Sequence, residues 1–215
     1  GFYVIQNFIC GDELKNHLKD FDNLFTNKNI PKVVKSSDKR IYGVERYTDK
    51  FITEKQRIFM SEFNKNAKYF DDNVYFTLAS EITGDKGNLG SGGGWHRDSP
   101  FTNQFKTILY LCDVDDNNGP FQYVRASHKR SIYKEIKKVL KSYSYNQFRF
   151  TNDEVNILKE NINNFEICTF NGKAGDLILV NTRGLHRGAP LVRGKRKAVT
   201  TYSFRNNIPK KFFNQ

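Results

Sequence analysis

Only three cysteines occur in the 215 residues, Cys10, Cys112 and Cys168, far apart and without a CxxC pair. That suits reduced structural thiols better than a disulfide framework or a zinc knuckle. No apolar run approaches the roughly 18 residues of a membrane span. Nor do the opening residues have a secretory or transit pattern, so a cytoplasmic protein is expected. Linkers and internal repeats are also missing, and with 38% hydrophobic and 14% aromatic residues the chain can bury one sizeable core. Acidic residues are in short supply, 23 against 35 basic ones, for a net charge of +12. Basic clusters stand in "HKRSIYKEIKK" (128–138), "RGKRK" (193–197) and "RNNIPKK" (205–211). Such a surplus attracts phosphate, carboxylate or nucleic acid. Because no nucleic-acid module is recognisable, an anionic small substrate or a tethered acidic group is the preferred partner.

What is present divides into two textures. The opening "GFYVIQNFI" alternates like a strand, and Asp12 then starts an amphipathic helix with Leu14, Leu18, Phe21 and Phe25 on one face. A second helix is predicted after Thr53, with Gln56 completing a capping box and Ile58, Phe59, Phe63 and Phe70 turned inward. From residue 74 short β-rich segments follow: "VYFTLASEI", "KTILYLCDV", "PFQYVRAS", "FEICTF", "GDLILVN" and "KAVTTYSF", separated by Gly, Asn and Asp clusters. That spacing predicts a sandwich or barrel rather than a βαβ sheet. Between 129 and 164 the pattern gives way to helical material, where Thr151 and Glu154 form another capping box ahead of Val155, Leu158 and Ile162. The expectation is a mainly β protein with two N-terminal helices against an antiparallel double sheet and a helical insertion between strands.

Histidine is scarce, with four in the chain, and its placement is informative. His17 lies on the first helix and reads as a surface or packing residue. In "GSGGGWHRDSP", His96 stands two residues before Asp98, and His186 follows ninety residues later in "TRGLHRGAP", just beyond the strand "GDLILVN". An HxD alone is equally compatible with a loop histidine hydrogen-bonded to a nearby aspartate. In a sandwich, however, the two strand ends can meet and present two imidazoles and one carboxylate to a single metal. This is the facial set that leaves positions open on non-haem Fe(II) for a co-substrate and O₂. Ten residues past His186, Arg196 enters "KAVTTYSF", where a planar guanidinium can bind a carboxylate through two parallel hydrogen bonds. If Ala198 and Thr200 share its face, Lys195 and Lys197 face solvent.

The segments "GFYVIQNFICGDEL", "GWHRDSP", "KTILYLCDVDDNNGPFQYVRASHK" and "GKAGDLILVNTRGLHRGAPLVRGKRKAVTTYSF" together resemble the phytanoyl-CoA dioxygenase-type family of Fe(II)/2-oxoglutarate-dependent oxygenases. The resemblance runs from near residue 1 to about residue 206. It implies a double-stranded β-helix, a jelly-roll, cupin-like core over 74–128 and 165–206, with helical support over 1–73 and the insertion at 129–164, all in one domain over 1–215. It implies His96, Asp98 and His186 as ligands of Fe(2+) and as the catalytic set, and Arg196 as partner of the distal carboxylate of 2-oxoglutarate. It further implies O₂-dependent hydroxylation of a small or carrier-linked substrate with release of succinate and CO₂. The retained Asp98 favours this over halogenation, while desaturation, epimerisation or ring closure use the same set. An inactive binding protein on the same fold and a nucleic-acid-acting oxygenase are the alternatives.

The chain departs from the family pattern at Gly188, where several relatives carry a hydroxyl, and at Ala198, which replaces a serine. That leaves open the second contact to the distal carboxylate. Lys106 and Tyr110, sharing a strand face, are nominated for it, with ordinary strand packing as the other reading. Ser127 and His128 match a structural turn, Arg125 is placed at the pocket mouth, and Trp95 and Phe101 either wall the substrate site or pack. The glycines of the 84–94 loop would let the backbone pass close to the metal.

Overall fold

Alternating apolar residues at the start of the chain form β1 (Phe2–Ile5), and the amphipathic segment after it forms α1 (Gly11–Thr26). The computed structural model describes residues 1–67, 75–84, 89–98 and 104–203. A hairpin follows, β2 (Val33–Lys35) with β3 (Asp38–Tyr42), then α2 (Glu54–Ala67) and the long β4 (Tyr75–Thr83). Next come β5 (Trp95–His96), β6 (Phe105–Tyr110) and β7 (Phe121–Val124). The insertion holds α3 (Arg130–Val139), β8 (Arg149–Phe150) and α4 (Asn152–Asn161). The chain continues through β9 (Ile167–Phe170), β10 (Leu177–Asn181), β11 (His186–Gly188) and β12 (Lys195–Ser203).

Two antiparallel sheets result, one ordered β1-β10-β6-β12-β4-β3-β2 and the other β8-β5-β11-β7-β9. Strand alternation explains why the central strands are apolar throughout. Leu109, Leu177, Val199, Ala79 and Ile41 face outward onto Phe21 and Leu24 of α1. Ile108, Tyr110, Ile178, Val180 and Ala198 face inward onto Phe121 and Tyr123 of the smaller sheet. A third cluster joins Tyr133, Ile136, Val155, Leu158 and Phe150 of the insertion to Trp95, Val124 and Leu185 on the back of the smaller sheet. The jelly-roll expectation and the six predicted strands are all present.

Three local expectations need correction. Residues 1–73 are not only helical support: β1, β2 and β3 extend the larger sheet at its two edges. Ile58 is 57% exposed, because α2 packs through Gln56, Phe59 and Met60, which recur at helical spacing on the opposite side. The side chain of Phe63 and the whole of Phe70 lie outside the described residues. Thr53 does cap the Gln56 N–H at 3.1 Å, but the Gln56 side chain turns into the protein and donates to Thr107 Oγ1 at 2.9 Å, so that box closes only halfway. The Thr151–Glu154 box closes in both directions. All three cysteines are free, and no helix among the described residues is long and apolar enough to cross a membrane.

Candidate metal centre and adjoining pocket

Antiparallel pairing of β5 and β11 sets His96 directly opposite His186, with their ring centroids 4.4 Å apart. Asp98 continues from β5, its N–H donating to the Thr182 carbonyl at 3.1 Å. Its two carboxylate oxygens lie 3.5 Å from the Nε2 of His96 and of His186 respectively. The three residues offer one ligand atom each, all within 4.8 Å of one another. Each imidazole is oriented the same way: Nδ1 of His96 donates to the Gly94 carbonyl and Nδ1 of His186 to the Gly184 carbonyl, both at 2.8 Å. A proton held on Nδ1 leaves the Nε2 lone pair aimed at the shared centre, which is the second-sphere arrangement that metal-ligating histidines need.

Electrostatics agree with this donor set. Burial disfavours charge on His186, and the neighbouring Lys106 and His96 push the same way, lowering it to about 3. Burial would raise Asp98, but the Lys106 ammonium and then the two histidines outweigh it and hold the carboxyl well below its usual range. Two imidazoles turned to one centre beside a carboxylate fit a borderline divalent ion. The Lys106 ammonium itself sits 2.9 Å from Asp98 Oδ2 and 3.0 Å from His186 Nε2, in the position where a cation is favoured.

A pocket runs from this centre between the sheets, and the register of β12 lays out its floor. Tyr202, Thr200, Ala198 and Arg196 alternate inward, Tyr202 lying opposite Lys106 and Ala198 opposite Tyr110. Lys106 and Arg196 therefore mark opposite ends. Arg196 is 5% exposed, donates to the Gly119 carbonyl and forms no ion pair among the described residues. Its neighbours turn away as the alternation requires: Arg193 is exposed, Lys195 pairs with Glu81 at 3.3 Å, and Lys197 pairs with Asp22 beside the Phe21 ring. Close approach also explains two glycines. A Cβ on Gly92, whose φ is +84°, would lie 2.2 Å from His96 Cε1, and one on Gly188 would meet Ser91 Cβ at 2.7 Å and Arg196 Nη2 at 2.8 Å.

Other candidates fall elsewhere. Tyr110 lines the pocket, but its hydroxyl donates to the Phe170 carbonyl and accepts from the Phe121 N–H, each at 3.0 Å, so it ties the two sheets together. Ser127 bridges Val124 and Leu185 backbones at 2.7 Å each, and His128 meets the Tyr123 hydroxyl at 3.3 Å, in keeping with a structural turn. Arg125 is not at the mouth. It pairs with Glu166 on the surface and covers the Phe2 ring. Trp95 does not wall the pocket, because His96 beside it points inward and alternation sends the indole outward, under Arg187 and into the core of the insertion. Phe101 and residues 85–88 of the glycine loop lie outside the described residues. Sequence reading missed Phe121, Tyr202, Arg40 and Ser91 as lining residues. Tyr202 was within reach, since it continues the inward alternation of Arg196, Ala198 and Thr200.

The jelly roll thus carries two histidines and an aspartate so placed that they could hold a metal ion, beside a cation-lined pocket. The family model described as Phytanoyl-CoA dioxygenase (PhyH) matches residues 1–198, and the chain belongs to that family. No curated protein sequence matches it. Among solved structures, the epimerase SnoN in complex with Fe3+, alpha ketoglutarate and nogalamycin RO superposes with a TM-score of 0.66 at 12% identity, over 95% of this chain and 79% of SnoN. The carbocyclase SnoK from nogalamycin biosynthesis gives 0.68 at 14%, over 100% and 85%. HygX from Streptomyces hygroscopicus with nickel, 2-oxoglutarate and hygromycin B gives 0.62 at 14%, over 96% and 83%. At such identities the likeness establishes the fold.

Proposed function

We propose that this protein is an Fe(II)- and 2-oxoglutarate-dependent oxygenase that hydroxylates a small or carrier-linked organic substrate, releasing succinate and CO₂. The carrying observation is a pocket with a preoriented His-Asp-His set at one end and, at the other, a buried Arg196 that has no ionic partner among the described residues, an arrangement that suits a dicarboxylic keto acid. Family membership supports this, as do neighbours solved with alpha ketoglutarate and a metal. The whole chain, 1–215, is read as one domain around this site.

When bound, ferrous iron supplies O₂ activation coupled to oxidative decarboxylation of the keto acid. The remaining work falls to the chain. His96 and His186 present their Nε2 atoms, oriented by the Nδ1–H bonds to the Gly94 and Gly184 carbonyls, and Asp98 provides one negative charge. Arg196 fixes the far carboxylate by a bidentate, charge-assisted pair. Lys106 yields its place between Asp98 and His186 to a divalent ion, since two cations cannot share it. Ile108, Phe121 and Leu78 line the intervening walls with apolar surface.

Adding Fe(II) and 2-oxoglutarate without oxygen is expected to give the weak visible charge-transfer band of a chelated keto acid. Succinate release is then screened with acyl thioesters, sugars, amino acids and nucleotides, and product masses separate hydroxylation from epimerisation or ring closure. A protein that binds neither iron nor 2-oxoglutarate would overturn the proposal and leave a binding protein on the same fold.

A further inference from the structure

Arg196 is not the only guanidinium at its end of the pocket. On β3, Asp38, Arg40 and Tyr42 face inward, and Arg40 lies in register with Ser80 of β4, which in turn lies opposite Ala198 of β12. Across these two small residues Arg40 reaches the glycine loop, its Nη2 lying 3.4 Å from Ser91 Oγ. Ser91 is stitched to β11, because its carbonyl accepts from the Gly188 N–H at 3.1 Å. Arg149 of the insertion donates to the next two loop carbonyls, Gly92 at 2.6 Å and Gly93 at 3.1 Å. Gly188 is the meeting point, since a Cβ there would touch both Ser91 and the Arg196 guanidinium. Two guanidiniums and a hydroxyl thus surround a gap floored by Gly188, Ser80 and Ala198.

The charges around that gap do not cancel. Asp38 chelates Arg40 through Nε at 2.9 and 3.0 Å and neutralises it. The Lys106 ammonium is matched by Asp98. Arg196 is left as one buried positive charge without an ionic partner among the described residues, and such a charge is costly unless a ligand supplies the counter-ion.

Resting on the oxygenase reading above, we propose that Ser91 and Arg40 complete a composite clamp with Arg196 for the distal carboxylate of the keto-acid co-substrate. The loop hydroxyl takes the place left by the side-chain-free Gly188, and Arg40 adds a second charged donor held in position by Asp38. The glycine loop, which also abuts His96, is thereby fastened by the co-substrate.

The test is calorimetric titration of Mn(II)-loaded protein with 2-oxoglutarate and with 2-oxobutyrate, which keeps the keto acid but lacks the distal carboxylate. Wild type, Ser91→Ala and Arg40→Met are compared, with Mn(II) affinity measured in each. Loss of a charge-assisted hydrogen bond predicts a weakening of roughly tenfold or more for 2-oxoglutarate in both variants. Binding of 2-oxobutyrate and Mn(II) is expected to be unchanged. Ser91→Ala removes a single hydroxyl from a half-buried loop residue and keeps the question answerable if Arg40→Met disturbs the hairpin. Wild-type-like 2-oxoglutarate affinity in the folded variants, an equal loss for 2-oxobutyrate, or a parallel loss of Mn(II) would each overturn the clamp. Failure of wild type to bind 2-oxoglutarate would instead overturn the oxygenase reading itself.

Discussion

The two histidine-bearing strands aim their imidazoles at one centre from unlike surroundings. β11 runs through the middle of the smaller sheet between β5 and β7, and His186 is 1% exposed, packed between the rings of Phe121 and Tyr123. β5 is two residues long, its histidine side chain is 13% exposed, and its outer neighbour is β8 from the insertion. There Trp95 pairs with Phe150 and His96 with Arg149. Arg97, between His96 and Asp98, is buried among Tyr133, Tyr143 and Phe150 and donates to the Tyr143 hydroxyl at 3.1 Å. His186 is thus held by the core, His96 by the insertion through β8 and Arg97, and Asp98 by the Thr182 carbonyl and Lys106. The insertion at 129–164 is part of the scaffold behind the candidate metal centre.

The largest effects should expose that difference. His96→Ala and Asp98→Ala are expected to abolish metal retention and turnover with little loss of fold stability, read by metal analysis and denaturant titration. His186→Ala should lose metal equally, and in addition lose about 2 to 4 kcal/mol, because it opens a cavity against two buried aromatic rings. Equal stability losses at positions 96 and 186 would remove the contrast. Next in size is the co-substrate end. Arg196→Ala should weaken 2-oxoglutarate binding by roughly one to two powers of ten, whereas Arg193→Ala and Lys195→Ala leave it unchanged. A defect in either neighbour would shift the strand register.

A smaller effect is expected at Arg97. Arg97→Met should weaken metal affinity by roughly tenfold through loosened His96 and Asp98, while the Arg187→Met counterpart beside His186 does less, because β11 is fixed on both sides. Metal titration of the two variants compares the supports directly. Smallest is the pH response of the metal-free protein. Burial lowers His186 to about 3, and burial with the nearby N-terminal amine, Lys129 and Arg183 lowers His128 to about 4. Both are ordinarily near 6.5, so the unfolded chain takes up protons first. Stability should be full above about pH 6.5 and decline as the pH falls toward 4. Urea titrations across that range should show a shallower slope in His128→Gln, and an unchanged slope would remove His128 from the account.

Much of the architecture was legible because it is written locally. Period-two runs such as "LILVN" and "AVTTYS" mark strands whatever they pair with, and Thr151 with Glu154 caps α4 from within four residues. The site was legible in part for the same reason: the HxD, the strand-end histidine and the alternation that singles out Arg196 among four basic residues are all short-range patterns. The β2–β3 hairpin was not, since "VVK" and "DKRIY" carry little apolar signal and become strands only against the edge of β4. Arg125 was misplaced, and the sequence left Trp95 open between pocket wall and packing, because a side chain's direction at a strand end depends on which neighbour the strand acquires.

By itself, then, the sequence determined the elements, the ligand types and the inward face of β12, all consequences of side-chain chemistry and a two-residue repeat. Only the tertiary structure decided that His96 lies opposite His186 and that Lys106 stands at the metal end rather than beside Arg196. It alone brought Arg40 and Ser91 to Gly188 and made the insertion a support for His96 and Arg97. Those relations join residues 50 to 150 positions apart, and they follow from which strands pair and in what register, a choice made by burying the whole core at once.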